Sequence, residues 1–152
     1  MRVELQATPQ EVMRAVEALQ NFGRAEKVPD RILHCLALAL EECGSNIVTH
    51  ALGRDARKKF TVTLELQGNR MLVELRDAGP EFDLTAFNAP AVAAADEDVC
   101  GGWGIQIVRR HTDAICYRRE GNENVLLLIK HLNEPSTAEM KSYRNETTEQ
   151  EK

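Results

Sequence analysis

Glu42, Asn46 and His50 follow one another at four-residue spacing, which on a helix turning about 100° per residue puts them in one row. In such a row a carboxylate can orient water or take a proton, and an amide oxygen can ligate Mg²⁺. A second set, Asp77-Ala-Gly79-Pro-Glu-Phe-Asp83, offers an acceptor for an exocyclic amine such as adenine N6. Its Gly79 lets backbone approach a flat ring closely. A third, Gly101-Gly-Trp-Gly104-Ile-Gln-Ile-Val, is a glycine loop opening a helix, whose free amides and positive dipole end suit an anion, typically phosphate. Taken alone, each has a plainer explanation: a solvated polar face, an ordinary turn, a hinge or close helix packing. The glycine loop is neither a Walker loop, which needs Gly-Lys-Ser/Thr, nor a dinucleotide fingerprint inside a βαβ unit.

The elements that must position these residues follow from hydrophobic period. Val3 and Leu5 alternate with polar neighbours as in a short edge strand. Thr8-Pro-Gln-Glu11 reads as a capping box with proline at the first helical position, opening a helix that runs to about Phe22 on Val12, Ala15, Val16 and Leu19. Asp30 caps a second, longer helix that stops at Gly53, with Leu36, Leu40, Cys43 and Ile47 as its core stripe. The period then changes to two: Phe60, Val62, Leu64 and Leu66 form a strand, Gln67-Gly-Asn-Arg70 a turn, and Met71, Val73 and Leu75 the returning strand. Residues 78–101 show little periodicity beyond a short turn near Leu84, and a stretch of that length is often a functional lid. A third helix spans Gly102 to His111 with Ile105 and Val108 inward; Ile115 and Tyr117 start another strand, and Glu120-Gly-Asn122 turns into a last one, Val125 to Leu132. The expected fold is an α+β two-layer sandwich, with helices on one face of a mixed, mostly antiparallel sheet. The crossover through the third helix suggests a parallel pairing next to Asp77's strand.

Composition narrows the function classes. The 152 residues hold 43% hydrophobic and 28% charged side chains, as expected for one globular domain. With 19 Lys+Arg against 24 Asp+Glu the net charge is −5, so no overall positive field draws in nucleic acid directly. No apolar run is long enough to span a bilayer and no signal peptide opens the sequence, which points to the cytoplasm and away from membranes. Cys35, Cys43, Cys100 and Cys116 lie far apart and read as reduced, buried thiols, and the four histidines show no zinc spacing. Residues 1–132 form the expected domain; residues 133–152 are nearly free of apolar side chains and read as a disordered tail.

The order of the three motifs carries a specific resemblance. From Arg2 to Leu132 the chain resembles the Bergerat ATP-binding fold of gyrase and the histidine kinases, and most closely the compact branch formed by the bacterial anti-sigma-factor serine/threonine kinases. That resemblance implies ATP and Mg²⁺ as ligands. It makes Glu42-x-x-x-Asn46 the N box, with Asn46 on Mg²⁺ and Glu42 as general base or water positioner. Asp77 and Gly79 match the adenine-binding box; Gly101, Gly102, Trp103, Gly104 and Ile105 match the phosphate-proximal glycine box, and residues 84–100 the ATP lid. Glu81 stands where the wider superfamily often has a second glycine, Trp103 fills the variable position, and Ile105 replaces the commoner leucine. A histidine kinase would need a preceding helix bearing a phosphoacceptor His, and a gyrase-type motor a second domain with a catalytic Lys. The implied activity is therefore transfer of phosphate from ATP to a Ser or Thr of a small anti-sigma-factor antagonist, which competes with a sigma factor for a homodimer of this protein. A non-catalytic, ATP-binding partner-switching module, or a scaffold that binds no nucleotide, would carry the same motifs.

Overall fold

The computed structural model describes residues 1–86 and 102–133, and leaves aside the side chains of residues 102 and 103. Gly101, most of the expected lid (87–100), Cys100 and the expected tail from 134 onward lie outside the described residues. In chain order the elements are β1 (Arg2–Gln6), α1 (Pro9–Ala25), α2 (Asp30–Asn46), a π-helical turn (Ile47–Ala51), β2 (Lys59–Gln67), β3 (Arg70–Asp77), a 3₁₀ turn (Leu84–Ala86), α3 (Gly102–His111), β4 (Ala114–Glu120) and β5 (Glu123–His131). Among the described residues no helix is long and apolar enough to cross a membrane.

α1 begins as its sequence dictates: Thr8 Oγ1 accepts from the Glu11 N–H and Pro9 occupies the first turn. The reciprocal half of the box closes further upstream than expected, since Glu11 Oε2 accepts from the Gln6 N–H while the Thr8 N–H is held by the Gln6 carbonyl. α1 continues to Ala25, almost a turn past Phe22, and ends where Lys27 takes a left-handed backbone (φ 58°) and the Val28 N–H returns to the Gly23 carbonyl. Asp30 is not the cap of α2. Pro29 holds that position and Asp30 sits in the first turn, where a negative charge is favoured by the positive end of the helix dipole.

Beyond Asn46 the helix unwinds into the π turn, with the Leu52 N–H bonded to the Ile47 carbonyl five residues back. The chain leaves it through Gly53 (φ 61°) and Arg54 (φ 58°), so the expected stop stands while the last turn is wider than an α-helix.

The sheet order is β1-β2-β3-β5-β4 and every ladder is antiparallel. The expected parallel pairing is absent because β5 inserts between β3 and β4. Those two run in the same direction without touching along their length. β1 and β4 are the edges. Register aligns the inward side chains in rows across the strands: Val3, Val62, Leu75, Leu126 and Tyr117 form one, and Leu5, Phe60, Asp77, Asn124 and Arg119 the next. Over the apolar part of this face pack Leu19 of α1, Leu36 and Leu40 of α2, and Ile105 and Val108 of α3, all fully buried. Each such leucine contributes about 1.5–3 kcal/mol by leaving water. The second row turns from apolar to polar at Asp77, and there the helical layer stands off the sheet.

Candidate functional site

Asp77 ends β3 and is buried, an environment that tolerates a carboxylate only when its oxygens are satisfied. Both of its side-chain hydrogen bonds among the described residues fall on Oδ1, from the Gly79 N–H at 2.9 Å and from Asn124 Nδ2 at 3.0 Å. Oδ2 has no protein partner among the described residues. Asp77 lines a cavity of about 160 Å³ between the sheet and the end of α2, and Asn46, His50, Phe82, Tyr117 and Asn124 line it too. That is about five times the volume a water molecule occupies in the liquid, enough for a flat heterocycle. A groove of about 230 Å³ near Thr85, Arg109 and Asp113 gathers none of the motif residues.

The helical row divides. Asn46 and His50 face the cavity, His50 reaching it from within the wider π turn. Glu42, one turn earlier, faces α3. A Cβ built on Gly104 would lie 2.8 Å from Glu42 Oε2 and 3.7 Å from Asn46 Nδ2, so glycine at this position is what lets α3 close onto both polar groups. Gly102, Trp103 and Gly104 form the first turn of α3, where helix amides lack intrahelical acceptors. Ile105 is fully buried in the core, so anything it offers a ligand comes from its backbone.

Gly79 also makes a close approach within the protein itself. A Cβ there would lie 2.8 Å from both the Ala51 carbonyl oxygen and the Ala51 Cβ, so the close approach is to the π turn. The loop after β3 is thereby pressed against the segment that carries His50.

Three residues escaped the motif reading. Asn124 Oδ1 accepts from Tyr117 Oη (2.8 Å), Arg119 Nη1 (2.9 Å) and the Phe82 N–H (3.3 Å), while its Nδ2 donates to Asp77 and to the Pro80 carbonyl (2.9 Å). Arg119 Nη1 also donates to the Gly79 carbonyl at 2.9 Å. Burial, and then the nearby Glu81 carboxylate, raise the Tyr117 phenol above its ordinary pKa, so at neutral pH it is the donor this network requires. Their only signal in the sequence was polar character at the start of the last strand and on the inward face of the one before it.

The expected thiol environment holds at one position. Cys43 is buried, and burial followed by the Glu42 charge pushes its thiol up to about 12. Cys35 is half-buried and Cys116 exposed, because β4 is an edge strand and Cys116 points away from the helices.

The arrangement fits an adenine nucleotide: an acceptor oxygen in a cavity, and an amide oxygen, a carboxylate and a helix N-terminus where phosphates would follow. Among the described residues no three His, Cys, Asp or Glu side chains gather around one point. A cation held by Asn46 would therefore take its other ligands from phosphate and water, as Mg²⁺ commonly does.

Comparison with known proteins agrees with this geometry. The histidine kinase-like ATPase domain family matches residues 5–130. The serine/threonine-protein kinase BtrW of Bordetella bronchiseptica is 26% identical over 130 residues, covering 85% of this chain and 92% of that protein. Among solved structures, the SiaB-SiaC complex from Pseudomonas aeruginosa aligns with a TM-score of 0.63 at 17% identity, covering 85% of this chain and 88% of the other. The structure of the RsbU and RsbW domains of Rv1364c from Mycobacterium tuberculosis aligns with a TM-score of 0.62 at 14% identity. That match covers 86% of this chain and 31% of the larger one. At these identities the two structures bear on fold alone.

Proposed function

The chain belongs to the histidine kinase-like ATPase domain family, and from that premise we propose that it is an anti-sigma-factor type serine/threonine-protein kinase. It binds Mg-ATP and phosphorylates a Ser or Thr of a small antagonist protein. The observation that carries this reading is the convergence of Asn46 and Asp77 on one cavity, with Gly104 closed against Glu42 beside it. Similarity to a named serine/threonine kinase over most of both chains supports it.

Phosphoryl transfer of this kind is mostly positioning and charge neutralisation. Asp77 Oδ2 accepts from the purine amine and fixes the base. Asn46 holds the metal that travels with the phosphates, and the first-turn amides of α3 cradle the terminal phosphate. Mg²⁺, when bound, offsets the charge on the phosphate oxygens. Glu42 takes the proton from the partner's hydroxyl as its oxygen bonds to the γ-phosphorus; the bond from that phosphorus to the bridging oxygen breaks, and ADP leaves. The added charge on the partner then changes its interfaces, releasing it from competition with a sigma factor. In this reading the protein works in the cytoplasm as a homodimer.

The test is to incubate the protein with Mg-ATP and a candidate anti-sigma-factor antagonist from the same genome, following the antagonist's mass and, separately, ADP binding by calorimetry. A gain of one phosphate on the antagonist is the expected result. Nucleotide binding without any gain would leave a non-catalytic partner-switching module, and absence of binding would leave a scaffold.

A further inference from the structure

The cavity holds a polar group that neither the motifs nor the proposed phosphoryl transfer uses. Asn124 is buried in the same cross-strand row as Asp77, directly opposite it in the β3–β5 register. Every hydrogen-bonding position on its amide is engaged. The oxygen faces donors only (a phenol, a guanidinium and a backbone N–H), and the nitrogen faces acceptors only (the Asp77 carboxylate and the Pro80 carbonyl). Turning the amide over would set its NH₂ against Arg119 and the Phe82 N–H and its oxygen against a carboxylate. The partners thus fix the orientation of the side chain, and the side chain in turn fixes Asp77.

We propose that Asn124 is a positioning residue for purine selectivity: by donating to Asp77 Oδ1 it locks the carboxylate so that Oδ2 alone is presented to the cavity, selecting a 6-amino purine over a 6-oxo purine. The inference rests on the nucleotide-binding reading and deepens it. With Oδ1 occupied by Gly79 and Asn124, the carboxylate cannot rotate away from the ring edge without breaking two bonds. An exocyclic amine donates to Oδ2. An exocyclic oxygen at the same place meets an acceptor that cannot turn aside, and both are left unpaired in a buried site. Remove the Asn124 donor and the carboxylate is free to swing, so the 6-oxo ring loses much of its penalty while the 6-amino ring loses alignment.

The test uses the full chain and two probes that differ along one ring edge, ADP (6-amino, N1 acceptor) and inosine diphosphate (6-oxo, N1–H donor), titrated in Mg²⁺ buffer. The wild type is expected to prefer ADP. Asn124→Leu keeps the approximate size and branching of the side chain but has no donor for Asp77 and no charge to set against it; Asn124→Ala removes the whole side chain. Both are expected to lower the ADP-to-IDP affinity ratio by about tenfold. A merely structural residue would lower the melting temperature, or both affinities together, and leave the ratio alone. An unchanged ratio in Asn124→Leu overturns the role of Asn124 while nucleotide binding stands, and so does a wild type that binds both diphosphates equally. A wild type that binds neither overturns the nucleotide reading together with this inference.

Discussion

Glu42 Oε2 lies where a side chain on Gly104 would begin, 2.8 Å from the position its Cβ would take. The obstructing atom is the end of a flexible carboxylate, so Gly104→Ala leaves the fold room to adjust by moving Glu42. That adjustment removes the geometry on which the proposed proton transfer depends. Gly104→Ala is expected to fold and to bind ADP, with the transfer rate to the antagonist lowered about a hundredfold, as for a misplacement near 1 Å. Circular dichroism, calorimetry and a single-turnover assay check the three parts.

Glu42→Gln separates charge from shape. The amide keeps the volume against Gly104 and cannot take a proton, so the transfer rate is expected to fall by about 10²–10⁴ with ADP affinity retained. A variant that keeps its full rate would remove Glu42 from the chemistry.

At Gly79 the obstruction is backbone. The Ala51 carbonyl oxygen stands 2.8 Å from where a Cβ would sit and belongs to the π turn, which cannot yield without disturbing Asn46 and His50. Gly79→Ala is expected to cost about 1–3 kcal/mol of stability by overpacking, measured by urea denaturation, and to weaken ADP binding as well.

What the sequence revealed and what it hid divide along the range of the interactions. The buried stripe of α1, the period-two strands 60–66 and 71–75, and the inward pair Ile105 and Val108 depend on near neighbours, and all were legible. The meeting of Asn46 and Asp77 on one cavity was anticipated from the order of the motifs that carry them. The insertion of β5 between β3 and β4 is a long-range choice with no local signature, and it alone sets Asn124 opposite Asp77. The π turn was hidden for a related reason: the i to i−5 bond after Asn46 accompanies a long-range contact of Ala51 with Gly79, which no helical periodicity announces.

Asp113 predicts an acid-dependent stability. Burial works to raise its pKa, but the His131 backbone N–H at 2.7 Å and then Lys130 at 3.1 Å outweigh it and hold the carboxyl below its ordinary value of 3.8. A depressed folded pKa stabilises the protein above the unfolded value, and the gain is lost as pH falls through the folded one. Asp113→Asn is therefore expected to be less stable than the wild type at pH 7, by about 1 kcal/mol or less for so exposed a pair. The two stability curves should converge as pH drops below 3.8. Urea midpoints from pH 7 downward test this, and a constant offset through the acid range would contradict it.

Two cysteines give an independent readout of the same architecture. Cys43 sits fully buried one residue after Glu42 with its thiol pushed up to about 12, which reduces the thiolate at pH 8 about a thousandfold. Cys116 is exposed on β4. Iodoacetamide at pH 8 followed by peptide mapping is expected to label Cys116 within minutes and Cys43 only on the timescale of unfolding. Burial is the larger cause of the Cys43 shift and the Glu42 charge the smaller. Glu42→Gln should therefore leave Cys43 protected. A Glu42→Gln protein whose Cys43 reacts has lost its core packing, and its lost phosphoryl transfer could not then be credited to the missing base.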